Sequence, residues 1–81
     1  MAEAYNPSPE ARDAMRRSFA ESFMSPNSEP VEMVARMSIR AIEVDFNGSV
    51  SREQNEAIMS FSVAFMASMV EVIRDHIAQN A

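Results

Sequence analysis

Apolar residues recur along this chain every three to four positions and never settle into the two-residue alternation of a half-buried strand, which predicts an all-α fold. Near the start, Ala11, Met15, Phe19 and Phe23 fall on every fourth position and form one stripe. Asp13–Arg17 and Arg17–Glu21 have the spacing of favourable ion pairs on the solvated side. Ser8-Pro9-Glu10 opens this segment with a capping hydroxyl, a proline for the first turn and a carboxylate at the positive end of the helix dipole. Ser25-Pro26-Asn27-Ser28 ends it, because the residue before a proline is pushed out of helical geometry. The first helix is therefore expected over about residues 8–24.

A second helix is expected over about residues 29–46, with Val34, Met37, Ala41 and Val44 on one face and Glu32, Arg36, Arg40 and Glu43 on the other. Asn47-Gly48 closes it, and Gly48, the only glycine, reads as a left-handed cap. A third helix begins at Ser51-Arg52-Glu53-Gln54, the pattern of a capping box, and runs to about residue 79. The short link predicts that the second and third helices form an antiparallel hairpin. The expected fold is thus a single all-α domain over residues 1–81, a short N-terminal helix followed by a long helical hairpin.

The third helix changes the picture. From Ala57 to Val70 it carries no charge. Ile58, Phe61, Phe65, Met69 and Ile73 line one face, and Met59, Val63, Met66, Val70 and Ile77 line the next. Only a strip through Glu53, Glu56, Ser60, Ala67, Glu71 and Arg74 is polar or small. A helix apolar over most of its circumference must be covered on several sides. A membrane span needs about 20 such residues, and this run is shorter and studded with serine. A chain of 81 residues buries only about 60–65% of its unfolded surface and needs a supplement to a single core. With no cysteine, disulfides and zinc thiolates are closed to it. Self-association remains, and the expected interface is Ile58, Phe61, Phe65, Met66, Met69 and Ile73; the other account is a helix wholly inside its own core. The eight methionines suit adaptable packing surfaces.

Charge narrows the function classes. The net charge of −5 leaves no basic surface to follow DNA. All seven basic residues are arginine, so Schiff-base chemistry and a P-loop lysine are excluded, while bidentate phosphate recognition is not. The start, MAEAYNPSPE, lacks the basic and apolar regions of a secretory signal, which points to the cytoplasm. His76 is the only histidine and has no second ligand at helical spacing, so no metal is expected there. No nucleophile–base pair stands out, so neither an enzyme nor a cofactor is expected. Asp45 to Glu56 places oxygen-bearing residues at several positions of a calcium loop. Val50 stands where that loop needs glycine and Arg52 where it needs an apolar residue, and a helix end followed by a helix start explains the same letters.

Arg12, Arg16 and Arg17 are the densest basic cluster, with Tyr5 and Phe19 close in sequence. Guanidinium forks beside aromatic rings suit a nucleotide; a helix surface pairing its own carboxylates is the plainer alternative.

The order of these features resembles a known pattern. A tyrosine near the N-terminus precedes Ser-Pro-Glu and a Met-Arg-Arg stretch. Arg52 then opens the third helix nine residues before Phe61 and twelve to fifteen before Ala64-Phe65-Met66-Ala67. The chain resembles, over most of its length, the small phage-encoded helical hairpin proteins that act as cyclic-nucleotide sponges against CBASS and, in a related branch, Thoeris defence. The resemblance implies a cytoplasmic homo-oligomer, hexameric in that family, that captures cyclic di- or trinucleotides between protomers without cleaving them. It implies that Tyr5 stacks on a base, that Arg52 contacts phosphate across the interface and that Phe19 lines the pocket. The pocket lysine of the family, expected near Phe19-Ala20, is absent; either Arg16 or Arg17 takes its place or affinity is reduced or lost. A function of a different class is a small acidic interaction module, an inhibitor or adaptor covering a partner's basic surface.

Overall fold

Serine caps and a left-handed turn set the helix boundaries in the computed structural model, which describes residues 4–80. Ser8 is extended, and its hydroxyl accepts the Ala11 amide at 3.1 Å, so that α1 runs Pro9–Phe23. Helix α2, Pro30–Phe46, starts at a proline behind an extended Glu29. It ends where Asn47 (φ 54°) and Gly48 (φ 88°) both enter the left-handed region. The turn thus begins one residue before the glycine, because asparagine tolerates this backbone with little penalty. The Gly48 amide donates back to the Ile42 carbonyl at 3.0 Å. Helix α3, Arg52–Gln79, opens on the reciprocal bonds of a capping box: the Gln54 amide donates to Ser51 Oγ at 3.1 Å, and the Ser51 amide to Gln54 Oε1 at 2.8 Å. Among the described residues there is no strand; the fold is all-α.

Each helix turns its stripe toward one core, built of Met15 and Phe19 from α1, Met33, Met37 and Ala41 from α2, and Ile58 from α3. Two residues of the stripes predicted for α1 and α2 leave it. Phe23 is half exposed and leans on Phe19 at 5.4 Å, and Val44 edges a hollow between α1 and α2. The pairing on the wet face of α1 also differs from the prediction: Asp13 takes Arg16 at 3.0 Å, and Arg17 turns into that hollow.

Where α2 meets α3 the side chains are small. Ser38 and Ser62 are buried with their hydroxyls 2.9 Å apart. Ser38 also donates to the Val34 carbonyl at 2.8 Å, and Ser62 to the Ile58 carbonyl at 2.9 Å. Two protons serve three contacts, so a carbonyl bond yields whenever the hydroxyls bond each other. Such a polar pair inside an apolar contact penalises any slip of one helix along the other.

Helix α3 outgrows its neighbours. Its 28 residues make it roughly 16 Å longer than the 17-residue α2 at 1.5 Å per residue. It sets the 44 Å long dimension of a body that is 25 × 21 Å across. Only Ile58 and Ser62 on it are buried. Against the expectation that its apolar run is too short to span a membrane, an 18-residue window of α3 has a mean hydropathy of 1.6, enough by length and composition alone to cross one, and 11% of that window is buried.

Candidate functional site

At the end of the body where α2 stops and α3 starts, the N-terminal segment is tied down by one carboxylate. Asp45, in the last turn of α2, accepts the Tyr5 phenol at 2.5 Å and the Ser8 amide at 3.1 Å on Oδ2, and the Ser8 hydroxyl at 2.5 Å on Oδ1. A carboxylate at the C-terminal end of its own helix opposes that dipole. Here it also faces the first turn of α1, where the dipole and Ser8 favour it. Burial pushes the Asp45 carboxyl up, but the hydrogen bonds from the Ser8 hydroxyl, Tyr5 and the Ser8 amide outweigh it and hold the group below the usual aspartate range. Tyr5 responds in the opposite sense. Burial, the bond to Asp45 and the negative charge of Asp45 raise its phenol far above its ordinary value, with Arg12 opposing.

This clamp aims the Tyr5 ring. It meets Phe61 edge-on at 5.7 Å and Phe46 at a tilt at 5.9 Å, beside a hollow of about 230 Å³ lined by Ala4, Tyr5, Asn6, Phe46, Gln54 and Ala57. Along α3 the aromatic run continues from Phe61 to Phe65 at 5.4 Å. Over these rings lie two guanidinium groups from α1. Arg12 is 5.5 Å from the Phe61 centroid and 5.9 Å from that of Phe65, and Arg16 is 5.6 Å from Phe65. An arginine held over a ring face is attracted by the ring's electrons while its stem covers apolar surface.

Of the ligand residues predicted from sequence, the structure brings Tyr5 and Arg16 to this aromatic run and leaves the others elsewhere. Arg17 lies in the α1–α2 hollow of about 320 Å³ with Arg40, Glu21 and Glu43. Phe19 is 4% exposed and belongs to the core, so its ring is not open to a ligand within one chain. Arg52 extends into solvent from the first turn of α3, its side chain 93% exposed, with only Glu56 near it at 3.6 Å.

The predicted interface residues divide as well. Ile58 has no exposed surface and is a core residue, so it has nothing to offer a second copy; its place at the start of α3, opposite α2, encloses it. Phe61, Phe65, Met66, Met69 and Ile73 are half-buried against their own core. The apolar surface left open on α3 runs instead through Met59, Val63 and Ile77, with Val72 exposed on the opposite side of the helix. Two residues that build this arrangement were not singled out from sequence as site residues, Asp45 and Arg12. Arg12 belonged to the basic cluster, but its seat on α3 has no local signal.

Compared with protein-family models, curated proteins and solved structures, the chain matches none.

Proposed function

We propose that this protein is a non-enzymatic, phage-type counter-defence protein that works as a soluble homo-oligomer and sequesters cyclic oligonucleotide signals at pockets between protomers. The observation that carries this reading is the two-sided character of α3. One flank presents aromatic rings under arginine, the chemistry of a phosphate and a base. The other leaves Met59, Val63 and Ile77 open, apolar surface that a second copy would cover. In this reading α2 and α3 form an antiparallel hairpin, supported by the short loop 47–51 and by the Ser38–Ser62 contact. Tyr5 supplies the stacking ring, held ready by Asp45. Arg52, unengaged except by Glu56, reaches the ligand of a neighbouring protomer. A protein of net charge −5 attracts a polyanion only where arginines are focused, and an interface converges two sets of them.

Calorimetry with a panel of cyclic di- and trinucleotides tests this. The parent protein is expected to bind at least one and to release it chemically unchanged. Tyr5→Ala and Arg52→Ala are expected to lose binding with the mass of the assembly preserved. Absence of binding by the parent protein contradicts the reading. If substitutions at Glu32, Glu43, Glu53 or Glu56 are the ones that abolish activity, the protein is the acidic interaction module instead.

A further inference from the structure

We propose that Arg12 and Arg16, seated on the rings of Phe61 and Phe65, form a ready-made site for a phosphoryl anion, with Asp13 as its internal competitor. The proposal rests on the nucleotide reading for its biological ligand, but its geometry stands on a single protomer. Both guanidinium carbons lie within 6 Å of the Phe65 centroid, so two positive charges converge on one ring. Residues four apart on α1 point the same way, and both guanidinium groups lie against the same ring. Part of the side-chain freedom that binding would otherwise remove is thereby given up already in the free protein.

The partners around the pair point the same way. Among the described residues Arg12, which is half-buried, makes no ion pair, although the chain carries twelve carboxylate side chains. Arg16 has one, with Asp13 at 3.0 Å, and both of those side chains are more than half exposed. Such a pair contributes little, and a dianion can displace it. Two forks match the charge and the several oxygens of a phosphoryl group better than a monoanionic carboxylate does. Within the proposed pocket this site would hold the phosphate while Tyr5, edge-on to Phe61, lies at the far end of the same aromatic run.

The test titrates inorganic pyrophosphate into the full-length protein and its variants by calorimetry, with malonate in parallel. Arg12→Gln and Arg16→Gln are each expected to weaken pyrophosphate binding by about tenfold or more, the loss of a charge-assisted hydrogen bond. Arg12→Lys, which keeps the charge but not the stacked fork, should also weaken it, which separates this site from bulk charge. Asp13→Asn is expected to tighten binding by up to about fivefold, since it frees Arg16. Unchanged helicity and melting temperature in each variant show that the fold is intact. Pyrophosphate affinity indifferent to Arg12→Gln, equal affinity for malonate, or weaker binding by Asp13→Asn would overturn the proposal. Cyclic-nucleotide binding that survives Arg12→Gln removes this site and leaves the sponge reading. Arg12-dependent pyrophosphate binding with no cyclic-nucleotide binding does the reverse.

Discussion

At its first turns α3 enters a region where the chain has answered every demand. Ser51 and Gln54 cap the helix, Ile58 is enclosed, and Asp45 gathers three hydrogen bonds from Tyr5 and Ser8. Toward its last turns the same helix has fewer neighbours, and Val72 and Ile77 are 65% and 63% exposed. The contrast separates two kinds of stabilisation. A polar cluster is satisfied by a handful of donors that a short chain can supply. An apolar stripe is satisfied only by area, and α1 and α2 are too short to cover a helix of 28 residues.

Truncation at the two ends should separate them most. Ile58→Ala is expected to cost about 2–5 kcal/mol in urea unfolding, since it leaves a cavity among enclosed side chains. Val72→Ala trims a side chain that is 65% exposed and lies outside the flank a second copy would cover, and should cost no more than about 1 kcal/mol. Equal costs would mean that the two ends are packed alike.

A smaller effect, with a pH signature, is expected at the clamp. Asp45 titrates below its unfolded value, so its contribution is present above about pH 4 and lost as pH falls through the folded value. Tyr5 titrates above its unfolded value. Its contribution is complete below about pH 10 and is lost as pH rises through the folded value. The clamp should therefore be flat between about pH 5 and 9 and weaken on either side. Asp45→Asn is expected to reduce stability by about 1–2 kcal/mol at neutral pH and to shrink both limbs. Tyr5 is the only tyrosine and there is no tryptophan, so ultraviolet absorbance follows its ionisation directly. A phenol that ionises at its ordinary pH in the parent protein would show that the clamp does not form.

The helix ends were legible in the chain because capping is local: Ser8-Pro9, Asn47-Gly48 and Ser51 with Gln54 carry their geometry within a few residues. The Ala11–Met15–Phe19 stripe was legible for the same reason. The clamp was not, since Asp45 lies 40 residues from Tyr5 and 37 from Ser8, and its one local signal, the first position of a calcium-loop pattern, points to neither. Arg12 was visible as part of a basic cluster, but its seat on Phe61 and Phe65 depends on how α1 lies against α3. The faces of α3 were the hardest to assign. Two adjacent stripes of equal apolarity run along it, and only the placement of α1 and α2 decides which is covered. Ile58 therefore looked as available as Met59 until the packing enclosed one and left the other open.

In the proposed assembly the open flank of α3 is covered by further copies of the chain. Light scattering on the purified protein in detergent-free buffer measures this directly, against a chain mass of 9.0 kDa. A discrete multiple of that mass is expected, reduced in Val63→Glu, which charges the middle of the open flank while leaving the helices intact by circular dichroism. A parent protein that stays at 9.0 kDa at every concentration, or that remains in solution only with detergent, would contradict it.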